Sequence, residues 1–101
     1  MANETFRLSL EAFQDLTDIY EYFAQDNLDA AERVAQELLQ AMLEIARMPG
    51  KGHRRDDLTK LPVRFWTVRS YQIIYKPEGS PLQIVAVLHG KRNIRRLLRE
   101  R

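Results

Sequence analysis

An imidazole at His89, phenols at Tyr71 and Tyr75, and cations at Arg64, Arg69, Lys91 and Arg92 are the groups in this chain whose types can move protons or hold an anion. Histidine titrates near neutrality, tyrosine can donate a proton, and guanidinium and ammonium groups clamp phosphate oxygens. Such chemistry needs the strand ends that carry these groups to converge, and spacing along the chain does not show convergence. The plainer reading of His89 is a strand-end histidine hydrogen-bonded to backbone. His53, in Gly52-His53-Arg54-Arg55, has no metal-ligand spacing around it and reads as a solvated loop residue, so no metal is expected. Trp66 lies among arginines and has a face that can stack on a nucleobase, but a lone strand tryptophan reads first as core or interface. Arg95, Arg96, Arg99 and Arg101 form a series suited to phosphates, to an acidic partner, or to plain solvation of a helix face. Nothing resembles a phosphate loop, a nucleophile elbow or a paired-carboxylate site, and no cofactor is expected.

The elements that must position these residues can be read from periodicity and punctuation. A short strand over 5–8 leads to Ser9, a good N-cap, and a helix over 9–25 whose stripe Leu10, Phe13, Leu16, Tyr20 and Phe23 is expected to be core, with Glu11, Asp15, Asp18 and Glu21 outside. Asp26 and Asn27 interrupt the pattern and can cap a second helix over 28–48, with Ala31, Val34, Leu38, Met42 and Ile45 inward and Pro49-Gly50 ending it. The short junction makes the two an antiparallel hairpin. Residues 49–62 read as a loop pinned by Leu58 and Leu61. Strands are expected over 64–68, 71–76 and 82–88, with a hairpin loop at Pro77–Pro81 and a tighter turn on Arg69-Ser70, residues that a primed turn does not favour. Strict alternation would put Phe65, Ile73, Tyr75, Ile84, Ala86 and Leu88 on one face, and Trp66, Ile74, Val85 and Val87 on the other. Neither face is fully polar, so the second needs cover from a partner or from the chain's own tail. That tail carries a short basic helix over 91–99, with Ile94, Leu97 and Leu98 as anchors. The fold class is α+β: a helical hairpin packed on an antiparallel sheet, in the order β-α-α-β-β-β.

Composition sets the wider bounds. The 101 residues, 45% hydrophobic and 30% charged, suit one globular domain. There is no cysteine, no signal-like leader and no apolar run of the roughly 20 residues a membrane span requires, so a cytoplasmic protein is expected. The net charge of +2 conceals segregation: residues 1–46 hold ten Asp and Glu against two Arg, and residues 47–101 hold fourteen Lys and Arg against four acids. A basic half of this kind is suited to an acidic partner or to phosphates.

Several of these residues also occur in a family pattern. Leu8-Ser9 with Ala12, Leu16, Ile19 and Tyr22, then Ala31, Leu38, Ile45, Pro49 and Gly52, Arg55-Asp56-Asp57-Leu58, Tyr71-Gln72-Ile73-Ile74-Tyr75 and Val87-Leu88-His89-Gly90-Lys91-Arg92-Asn93 resemble, in order and spacing, the ParE toxins of the RelE/ParE superfamily. One departure is Arg69, where that family usually shows glycine. The resemblance implies a toxin neutralised by a cognate ParD-like antitoxin whose C-terminal segment wraps the toxin in a hetero-oligomer. It implies DNA gyrase as target, and DNA contact only through the antitoxin. Target- or antitoxin-binding is expected, from the residue types, at Arg64, Trp66, Arg69, His89, Lys91, Arg92, Arg95 and Arg96. The superfamily's other branch implies an alternative, a ribosome-dependent mRNA endoribonuclease, for which His89, Arg64, Arg69 and Tyr71 would be the catalytic residues.

Overall fold

The computed structural model describes residues 5–101. Strand β1 (Phe6–Leu8) is followed by helices α1 (Leu10–Ala24) and α2 (Leu28–Arg47), a 3-10 turn (Pro49–Lys51), strands β2 (Arg64–Val68), β3 (Tyr71–Lys76) and β4 (Leu82–His89), and helix α3 (Ile94–Arg99). Both long helices start where side-chain oxygens satisfy free amides: Ser9 Oγ accepts from Ala12 N–H at 3.0 Å and Asn27 Oδ1 from Ala30 N–H at 3.1 Å. The third helix is shorter than expected. Residues 91–93 form a turn, and Asn93 Oδ1 caps α3 through the Arg96 amide.

The sheet order is β1-β4-β3-β2. The three later strands run antiparallel, as expected, while β1 joins β4 in parallel register from Phe6 opposite Leu82 to Leu8 opposite Ile84, which makes the sheet mixed. Helices α1 and α2 lie on one face over Ile73, Tyr75, Leu82, Ile84 and Val87. The other face, with Phe65, Ile74, Ala86 and Leu88, is covered in part by Val63, Ile94 and Leu98. The chain's own tail thus supplies part of the second cover.

Two expectations about faces fail. The α2 stripe is as read, but in α1 the buried positions are Ala12, Asp15 and Ile19, while Leu10 and Phe13 are 82% and 58% exposed. The helix is rotated so that the small Ala12 meets the sheet and the carboxylate of Asp15 reaches it. In the strands, Phe65 shares its face with Ile74, its partner across β3, and not with Ile73. A bulge leaves Val85 as an extra residue, since Ile84 faces Tyr75 and Ala86 faces Ile74, so Ala86 and Leu88 lie opposite Ile84.

Beyond Leu8 the outer edge of β4 has no neighbouring strand among the described residues, and side chains satisfy it instead. Ser9 Oγ donates to Val85 O at 3.2 Å, and Asp15 Oδ2 accepts the Val87 amide at 2.9 Å. Arg101 donates to both Asp15 oxygens, at 2.7 and 2.9 Å, and to Val85 O at 3.1 Å. The hydrogen bonds to Asp15 hold the Arg101 guanidinium above its usual pKa, against the opposing effect of burial.

The Arg69-Ser70 turn is made with Arg69 at φ 55°, the left-handed region that glycine enters without penalty. Its side chain is tied to α2 by a bidentate pair with Glu37 at 2.6 and 2.8 Å, whose first effect on Glu37 is to lower the carboxylate pKa. Arg69→Gly and Arg69→Ala both delete that exposed pair, but only alanine keeps the Cβ strain. The glycine variant is therefore expected to be more stable than the alanine variant by about 1 kcal/mol in chemical denaturation.

Candidate functional site

The expected site residues fall in three places. At one end of the sheet, Tyr71 pairs with His89 across β3 and β4, their rings meet edge to face at 5.3 Å, and the Arg69-Ser70 turn closes over them through Gly90 N–H to Ser70 O at 2.8 Å. Helix α1 brings Tyr22 to the same spot, where Tyr22, Tyr71 and His89 line two adjoining recesses of about 420 and 150 Å³. Arg92 borders the smaller one, and Lys91 lies in the exposed turn beside it. His89 Nδ1 accepts the Lys91 amide at 3.1 Å, the backbone bond expected of a strand-end histidine, which leaves Nε2 as the remaining ring nitrogen. Burial first, and then the nearby Tyr22, push the Tyr71 phenol up from its ordinary value, making it a weaker acid.

Arg64 is not part of this cluster. It pairs with Tyr75 at the opposite end of β3 from Tyr71, roughly 13 Å away along the strand at about 3.3 Å per residue. Its Nη1 donates to Gly52 O at 2.8 Å. Tyr75 is also engaged: its fully buried hydroxyl donates to Pro49 O at 2.6 Å and accepts the Gly52 amide at 2.9 Å. Trp66 packs on the helix-side core, with Lys51 Nζ 4.5 Å from its ring centre and His53 stacked at 6.3 Å. His53 does more than the loop role expected of it, since it also forms a two-bond bridge to the outer edge of β2 at Phe65, at 2.9 and 2.7 Å.

The third place is α3. Arg95 reaches across to Asp57 O, Arg96 is exposed, and Arg101 is committed to Asp15 rather than to the free basic series expected of it. Between α3 and the 56–63 loop runs a groove of about 740 Å³. Sequence reasoning missed it, because its walls are brought together only when the tail folds back over the sheet. The one available signal was the pair of loop leucines, of which Leu58 is half-buried and Leu61 45% exposed. Among the described residues no group of three or more His, Asp or Glu is placed to hold a metal, and no helix is long and apolar enough to cross a membrane.

Residues 6–94 match the family model described as the ParE toxin of the type II toxin-antitoxin system parDE. The chain is also similar to a solved structure described as the chromosomal ParDE TA system from P. aeruginosa, with a TM-score of 0.69 at 18% identity, covering 83% of this chain and 92% of that one. No curated protein matches it.

Proposed function

The chain belongs to the ParE toxin family of type II toxin-antitoxin systems, and we propose that it acts in the cytoplasm by binding DNA gyrase directly, arrests growth, and is silenced by a ParD-like antitoxin. Binding rather than turnover is supported by one observation above the rest: the groups an RNA-cleaving site would need are not assembled. His89 and Tyr71 meet, but Arg64 is bonded to Gly52 at the far end of β3 and Arg69 is bonded to Glu37. With Arg64 remote and the Arg69 guanidinium, which borders the larger recess, already engaged by Glu37, Arg92 and the exposed Lys91 are the cations left beside the proton-transfer pair, a thin set for stabilising the charge that develops on a phosphate under attack. The same groups serve a protein interface well, where tyrosine, histidine and arginine are effective contact residues.

Purified chain added to gyrase, relaxed plasmid and ATP is expected to inhibit supercoiling in proportion to its concentration. Addition of the protein encoded beside it should restore the reaction. Primer extension on cellular messages after induction should show no new ends. Codon-specific cleavage of those messages with supercoiling unaffected would reverse the assignment in favour of a ribosome-dependent endoribonuclease.

A further inference from the structure

The two adjoining recesses beside His89 gather hydrogen-bond donors that nothing in the chain uses. Elsewhere the phenols are engaged: the Tyr20 hydroxyl donates to Glu32 and the Tyr75 hydroxyl to Pro49 O. The hydroxyls of Tyr22, Ser70 and Tyr71 and the Arg92 guanidinium border the recesses with no hydrogen-bond or ion-pair partner among the described residues. Tyr71 is only 9% exposed, and burial keeps its phenol protonated and therefore a donor. His89 adds another: because Nδ1 accepts the Lys91 amide, the ring proton sits on Nε2. The acids at the same place are occupied. Both Asp15 oxygens are taken by Arg101, one of them also by the Val87 amide, and Asp18 accepts from Gln14 at 2.8 Å. Donors thus outnumber acceptors between aromatic walls, where an unmet donor is costly. An acceptor supplied by another molecule would relieve that cost.

We infer that the toxin's target inserts one acidic side chain here, its carboxylate accepting from Tyr71, His89 Nε2 and Arg92 and its stem packed against the Tyr22 ring. The inference rests on the gyrase-binding reading above and gives that contact a place and a chemistry: a loop of the target carrying an exposed Asp or Glu. At about 420 and 150 Å³ the recesses suit one or two side chains rather than a polymer. A nucleic-acid strand would need a row of unpaired cations along its backbone. Only Arg92 and the exposed Lys91 are at hand, since Glu37 grips Arg69 at 2.6 and 2.8 Å and Asp18 stands at the edge of the smaller recess. One carboxylate asks for less, because a single guanidinium can hold both of its oxygens. A tyrosine-and-arginine anchor point of this kind is also where binding energy concentrates in protein interfaces.

Binding of the full chain to purified gyrase is to be measured by titration. Tyr22→Phe/Tyr71→Phe keeps both rings and removes only the hydroxyls; it is expected to weaken affinity roughly 10-fold, and Arg92→Gln roughly 30-fold, about 1.4 and 2 kcal/mol. Tyr20→Phe, the same deletion at the phenol bonded to Glu32, should stay within about twofold. Matching thermal melts will show that the fold is intact in all three. Pairing Arg92→Gln with single Asp→Asn and Glu→Gln changes on gyrase should reveal one acid whose loss costs nothing further in that background. Unchanged affinity in the recess variants, an equal loss in Tyr20→Phe, or no acid coupled to Arg92 would each overturn the inference while gyrase binding stands. Binding of a single-stranded oligonucleotide to the chain, lost in the same recess variants, would hand the site to nucleic acid instead. If the unaltered chain does not bind gyrase, both readings fall. One arm needs no target: a proton–nitrogen correlation spectrum of the free chain should place the His89 ring proton on Nε2, and a proton on Nδ1 would remove the donor on which the carboxylate depends.

Discussion

Asp15→Ala is expected to lower unfolding free energy by about 3 kcal/mol, which for a domain of this size moves the thermal midpoint by roughly 15 °C. Asp15 is 8% exposed, yet it serves two donors that no neighbouring strand can serve, the Val87 amide and the Arg101 guanidinium. Removing it leaves both in a poorly solvated place, and a buried donor without an acceptor costs its desolvation in full. Arg101→Ala should cost less, because Asp15 keeps the Val87 amide. Because the two residues act as one unit, the double variant should be no less stable than Asp15→Ala alone, and a full cycle in urea will read that coupling. Additive losses would show that the clasp is incidental to stability.

Gly52→Ala should be the second most damaging single change, costing about 2 kcal/mol as an overpacked core does. The backbone there, at φ −74° and ψ 175°, is open to any residue. The difficulty is space: a Cβ would lie 2.5 Å from the Tyr75 hydroxyl and 2.9 Å from Phe65 O. Tyr75→Phe alone should cost about 1 kcal/mol, by losing the bonds to Pro49 O and the Gly52 amide. Combined, the two changes should cost clearly less than their sum, since removing the hydroxyl removes the closest clash. A sum at or above additivity in the same denaturation assay would show that Phe65 O and the Tyr75 ring edge, each 2.9 Å from that Cβ, exclude a side chain without help from the hydroxyl.

These two sites also mark what was legible beforehand. Helix starts were local information: a serine and an asparagine followed by good helix formers, and both cap as read. The α2 stripe was equally plain, because Val34, Leu38, Met42 and Ile45 are large, apolar and in phase. Helix α1 was misread because its buried face is set by shape and hydrogen bonding against the sheet, which favours Ala12 and Asp15 over the bulkier Leu10 and Phe13. The strands were found within a residue, but their faces were not: the β2–β3 register sets Phe65 opposite Ile74, and in β4 one extra residue at Val85 reverses alternation, a bulge with no strong local signature. The candidate site suffered most. Whether Arg64 stands beside His89 depends on which end of β3 each one meets, and that is a property of register, invisible in spacing. The glycine missing at Arg69 was visible, and the structure gives it meaning through the positive φ and the Glu37 pair that accompanies it.

The parallel pairing of β1 with β4 joins residues separated by most of the chain, Phe6 to Leu82. During translation the first strand emerges long before β4, its neighbour in the sheet, exists, and the helical hairpin must wait without much of the surface it is to cover. A message cut or a ribosome stalled ahead of Leu82 therefore yields a fragment lacking both β4 and the tail helix, with Val34, Leu38, Met42 and Ile45 exposed for proteases and chaperones to recognise. The helix-side core, to which Leu82, Ile84 and Val87 contribute, is therefore complete only once β4 has been made.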